Sequence, residues 1–136
     1  MFNSVFAGFP TGCLIDGSAC EANCDAGTLK VKNCVYSAME TLTATASGST
    51  WDVAGWFAAN GNTSLAQNTE LGVVDGFNLL SPNFTLAGGS TLASGADFGD
   101  ADLNDPFFTS VPYRGAFGTE NWTSGWCNWD PQNTPY

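Results

Sequence analysis

Histidine is missing from this chain and basic residues are nearly so: Lys30, Lys32 and Arg114 face thirteen Asp and Glu, for a net charge of −10. Without histidine there can be no histidine-based catalytic triad, Cys/His pair, His-ligated zinc or pH switch near neutrality. Any catalysis would have to run on carboxylates, the two lysines or a bound ion. Too few bases remain to form the clustered Lys/Arg that hold a phosphate backbone or an anionic lipid surface, so neither nucleic acid nor a membrane is an expected partner. Long apolar runs are lacking too. Nothing approaches the roughly 20 residues that span a bilayer, and Met1–Cys13 has neither the basic start nor the apolar stretch of a signal peptide. No CxxC occurs that would suggest a zinc ribbon or a redox pair.

Charged residues of any kind make up 12% of the 136 residues, so the surface has to be built largely from Thr, Ser, Asn and Gly. Such a surface points to work outside the cell, with any export signal expected in a longer precursor. The length suits a single domain with a real core. Five cysteines, Cys13, Cys20, Cys24, Cys34 and Cys127, are many for a reduced cytosol. The expectation is at least one disulfide among Cys13, Cys20, Cys24 and Cys34, contributing roughly 2 to 4 kcal/mol by constraining the unfolded chain. Their pairing is open, and the alternative is that they serve as small buried apolar residues.

Along the chain, Asn3-Ser4-Val5-Phe6-Ala7-Gly8 is echoed thirty residues later by Asn33-Cys34-Val35-Tyr36-Ser37-Ala38. Between them, short β-prone runs follow Gly12 and Gly27. Short strands returning at about one coil's length predict a parallel β-helix, or solenoid, over 1–48, an ordinary β-sandwich being the alternative. The small polar insert 17–26 reads as a loop projecting from one coil. Over 49–104 we expect a loop-rich connection holding one short helix, Trp51 to Asn60, capped by Ser49 or Thr50 with Gly61 just beyond its end. Its aromatic stripe reads as core rather than a ligand site.

Asp97 to Asp105 gathers four acids in nine residues, and carboxylates at alternating positions are what calcium takes. Asp100, Asp102 and Asn104 follow the first half of an EF-hand loop. Asp105 then stands where the turn glycine belongs and Val111 where the bidentate Glu should be. The loop is thus either a weak calcium site, formed by Asp100, Asp102, Asn104 and Asp105, or simply a solvated acidic turn.

The segment 105–136 gathers Tyr113, Trp122, Trp126 and Trp129 with the only arginine. Its Pro106-Phe107-Phe108, Tyr113-Arg114-Gly115-Ala116-Phe117 and Asn121-Trp122-Thr123-Ser124-Gly125-Trp126 blocks resemble the C-terminal end of a family of secreted or surface right-handed β-helix proteins of Bacteroidota. The resemblance implies the last coils of such a helix closed by an aromatic, loop-rich cap, with the preceding coils as its natural neighbour. A cap of this kind would protect open strand edges from aggregation. Two functions follow as expectations. One is a non-enzymatic extracellular module with a structural or adhesive role, able to self-associate through an uncapped first coil at Phe2–Phe6 or through Cys127. The other is carbohydrate recognition, as a binding module or as part of a pectate-lyase-like enzyme, with Tyr113, Trp122, Trp126 and Trp129 stacking on sugar rings. Packed aromatics would favour the first and exposed indoles the second.

Overall fold

The computed structural model describes residues 1–135; residue 136, the last of the expected cap, lies outside the described residues. The chain runs β1 (Val5–Ala7), β2 (Thr11–Ile15), α1 (Ser18–Asp25), β3 (Val35–Ser37), β4 (Thr41–Thr45), α2 (Val53–Ala59), β5 (Thr63–Leu65), β6 (Val73–Asp75) and β7 (Asn83–Leu86), with 3-10 turns at Asn68–Leu71 and Ala101–Leu103. The strands form three small sheets, β1-β3-β5 and β2-β4 parallel, β6-β7 antiparallel with an irregularity between Val73 and Asp75.

The thirty-residue echo is the register of both parallel pairings that begin the fold, Val5 opposite Val35 and Thr11 opposite Thr41. The backbone repeats with it. Asn3 and Asn33 both adopt left-handed φ, at 51° and 56°, as do Gly8 and Ala38, at 74° and 52°. Asn tolerates that region because its short side chain bonds locally.

Among the described residues, nevertheless, no β-helix forms, and that expectation is corrected. A coil requires each pass to add a strand to every sheet. Here β5 joins the first sheet, pairing Thr63 with Val35, but β2-β4 gains no third strand. Instead, α2 sends Phe57 into the core beneath the first sheet, and after β5 the chain turns through Asn68–Leu71 into the antiparallel hairpin. Among the described residues two α-helices are present rather than one. The insert expected as a loop is α1, whose Cys20 and Cys24, one turn apart, face the core that Cys24 enters. Its small residues carry no apolar stripe, so its docking decides its form. α2 begins at Asp52, not at Ser49 or Thr50: the Asp52 carboxylate accepts from the Gly55 N–H at 2.9 Å. Gly61 follows it at φ +69°, where a side chain would strike Asn33.

The first sheet is covered on both faces. Cys34 and Tyr36 point into a core of Cys13, Ile15, Cys24, Val31 and Phe57, while Val35 between them joins Leu71 and Leu92 on the other side. Phe6 stacks on Tyr36 with ring centroids 4.8 Å apart, and Phe57 meets Tyr36 edge-on at 5.1 Å. Such pairs add roughly 0.5 to 1.5 kcal/mol beyond area burial.

The disulfide expectation is corrected as well, since all five cysteines are unbonded. Cys13, Cys24 and Cys34 fill the core as small apolar side chains, and burial pushes each thiol above its ordinary pKa. A raised pKa leaves less thiolate at neutral pH, so these three are expected to resist alkylation in the native protein. Cys20 and Cys127, both partly exposed, should react first. Thiol titration without reductant should count all five once the chain is denatured; fewer would mean that a bridge exists.

Candidate functional site

From residue 104 to 135 no helix or strand occurs among the described residues, so this segment is held by discrete tethers. The Arg114 N–H donates to Leu92 O at 2.9 Å, Gly115 to Asn3 O at 2.7 Å, and Leu86 of β7 to Gly118 O at 2.9 Å. The Arg114 guanidinium spans two further elements, donating from Nη1 to Thr63 Oγ1 at 3.1 Å and from Nη2 to Thr91 O at 3.2 Å. Its planar fork suits two acceptors at once. Burial lowers its pKa without threatening its charge.

These tethers deliver a row of rings. Phe84 of β7 lies 5.1 Å from Phe117, Phe117 stacks on Trp122 at 5.0 Å and 13°, and Trp122 stacks on Trp126 at 5.8 Å and 24°. Trp129 leans on Phe84 from the side at 6.0 Å. The row leads outward: Trp122 is 50% exposed and Trp126, at its end, 68%. The rings thus pack on one another along the row and open to solvent at its outer end. Both indole N–H groups are already committed, Trp122 Nε1 to Ala116 O at 2.9 Å and Trp126 Nε1 to Trp122 O at 2.6 Å. The rings are thereby fixed in orientation, with Trp122 stacked against both Phe117 and Trp126, and Trp126 at the end of the row the more exposed of the two indoles.

Beside Trp122 lies a small cleft of about 190 Å³ lined by Tyr113, Gly118, Thr119, Glu120 and the indole itself. Gly118 shapes it, because a Cβ there would come within 2.8 Å of the Tyr113 ring. Three of the four aromatics expected as sugar-stacking residues thus meet here, Tyr113 and Trp122 in the cleft and Trp126 next to it. Trp129 sits apart on Phe84. Thr119 and Glu120 were not foreseen, for nothing in their local sequence separates them from ordinary turn residues.

The acidic loop is turned to another task. Asp100 accepts from Lys30 Nζ at 2.7 Å and Lys32 Nζ at 2.9 Å, and Asp102 lies 3.0 Å from Lys30. Hydrogen bonds from Lys30 and then Lys32 hold the Asp100 carboxyl well below the usual carboxylate range, and Asp100 in turn raises Lys30. Asp105 turns back to cap its own chain at Phe107 N, 2.8 Å away, and Asn104 ends the 3-10 turn. The four expected calcium ligands do not converge, and no group of three or more acids is placed to hold a metal among the described residues. The spacing Lys30-x-Lys32 could have signalled the clasp, since alternate residues of an extended segment share a side.

A depressed folded pKa stabilises fully above the unfolded carboxyl value, about 3.9, and that contribution is lost as pH falls below it through the folded value. Urea unfolding from pH 5 to pH 2 should therefore show an acid-sensitive component that Asp100→Asn removes. Millimolar calcium should leave the melting temperature of the parent unchanged. A rise of several degrees that disappears in Asp100→Asn with Asp102→Asn would restore the metal site.

A groove of about 770 Å³ with mostly apolar walls lies between the N-terminal segment (Phe2, Phe6), the β6-β7 hairpin (Phe84) and the loops carrying Phe98, Phe108 and Phe117. β1 is the outer strand of its sheet and lies along it. The chain matches no protein-family model, no curated protein and no solved structure. The kinship suggested by the C-terminal blocks stands on those residues alone.

Proposed function

We propose that this chain is a non-enzymatic recognition module of an extracellular or cell-surface protein, and that it binds polysaccharide on the outward face of Trp126 and in the adjoining Trp122 cleft. The observation that carries this reading is the exposed, hydrogen-bonded pair of stacked indoles. A pyranose ring offers a patch of C–H groups that packs on an aromatic face, and a face held in place beforehand loses little entropy on binding. The surface, sparse in charged residues and rich in Thr and Asn, supports an extracellular setting.

Affinity electrophoresis through gels containing neutral polysaccharides tests this. The parent should be retarded by at least one of them. Trp126→Ala should weaken binding about tenfold, the order of one lost stacking contact, while melting within a few degrees of the parent. No retardation by any polysaccharide, or undiminished binding by the variant, would overturn the reading.

A second reading, association between copies of this chain, rests on β1: an outer strand beside an apolar groove walled by Phe2 and Phe6 can accept another strand. Light scattering coupled to size exclusion should then show a dimer that Phe2→Asp disrupts. A monomer across the accessible concentration range would dismiss it.

A further inference from the structure

The charges around the proposed sugar site narrow the class of sugar it would take, an inference that rests on the polysaccharide reading above. All three basic side chains are engaged elsewhere. Lys30 and Lys32 are clasped by Asp100 and Asp102, and Arg114 is spent on Thr63 and Thr91. Uronates and sulfated glycans need a cation at their binding site, and none of the three basic residues lines the cleft. Glu120 presents the opposite case. It lines the cleft together with Tyr113, Thr119 and Trp122, and its carboxylate takes part in none of the side-chain hydrogen bonds or ion pairs formed among the described residues. A carboxylate in a cleft that also holds two aromatic residues is suited to an ammonium group, which gains from the anion and from a nearby π-system. The cleft volume of about 190 Å³ suits a single sugar unit rather than a length of chain. The net charge of −10 favours approach of a cationic ligand and opposes that of an anionic one.

We infer that the Trp122–Glu120 cleft selects a protonated amino sugar, so that the preferred ligand is a glycan carrying free amines, such as a polymer of glucosamine, over its N-acetylated or acidic counterparts. The ammonium would sit against Glu120 while the neighbouring ring of the glycan packs on Trp126.

Isothermal titration at mildly acidic pH, where the amine holds its proton, compares glucosamine hexamer, the N-acetylglucosamine hexamer and oligogalacturonate on the full chain. The deacetylated hexamer should bind about tenfold tighter than the acetylated one, and oligogalacturonate should not bind. In Glu120→Gln the ratio between the two hexamers should fall close to one, and in Trp126→Ala both should weaken. General attraction of a cationic oligomer to an acidic protein would survive Glu120→Gln, and that survival would overturn the inference. Equal affinities in the parent would also overturn it while leaving the polysaccharide reading intact. If neither hexamer nor any neutral polysaccharide binds, the polysaccharide reading fails and takes this inference with it.

Discussion

Phe57→Ala is expected to lower the unfolding free energy by about 3 to 5 kcal/mol, the range for truncating a fully packed aromatic. Phe57 is 4% exposed and is the side chain by which α2 enters the main core. It meets Tyr36 edge-on, and Tyr36 carries Phe6 on its other side, so the ring closes a stack reaching from β1 through β3 to α2. A helix of seven residues has little stability of its own. Losing its anchor should therefore free the helix as well as open a cavity. Chemical denaturation monitored by tryptophan fluorescence reads the effect directly, since Trp51 precedes this helix, Trp56 lies within it and both pack against the same core. The contrast lies at the other end of the chain, where the half-exposed Trp122 and Trp126 have much less to lose. A Phe57→Ala protein within 1 kcal/mol of the parent would show that α2 does not close the core.

The second large effect is expected at Asn62, a polar residue only 7% exposed. Its Oδ1 accepts from the Cys34 N–H at 3.0 Å, and its Nδ2 donates to Val31 O at 2.7 Å and Phe57 O at 2.9 Å. The amide thus joins the end of α2 to both sides of the turn that leads into β3. Asn62→Ala would strand one buried donor and two buried acceptors, each costing about 1 to 3 kcal/mol when left unsatisfied. The expected outcome is a protein that is unfolded or barely folded at room temperature. Asn62→Asp keeps the acceptor but places a charge before two carbonyls, so it should not rescue the fold. If Asn62→Ala retains cooperative unfolding near the parent's midpoint, water must take over those bonds and the network has little energetic weight. Hydrogen exchange at the Cys34 amide would reveal this by its lost protection.

Asn62 carries no local sign of this role. It stands in Asn60-Gly61-Asn62-Thr63, which reads as a loop after a helix, and its three partners come from residues 31, 34 and 57. The same holds for Asp100, whose lysine partners lie 70 and 68 residues away. An acidic run is chemically ambiguous until its neighbours in space are known, because identical carboxylates can gather an ion, pair with ammonium groups or face water. The cysteines misled for a related reason. Their number suggested bridges, but Cys13, Cys24 and Cys34 are positioned by the sheet and by α1 as apolar filler.

What the sequence determined by itself is what short-range geometry controls. The Asn3 and Asn33 echo carries the same left-handed backbone at both ends of a thirty-residue step, and so dictates the parallel register of β1 with β3 and of β2 with β4. The site of α2 was legible from Gly61 beyond its end. Tertiary structure alone decided that the repetition stops at β5, where β4 gains no third partner and the chain passes on to the antiparallel hairpin. It alone made a helix of 18–25 through the docking of Cys24. It alone left Trp122 and Trp126 facing solvent, because an aromatic's burial depends on how much surface the rest of the fold can turn toward it. This fold had already closed its cores around Tyr36 and Val35.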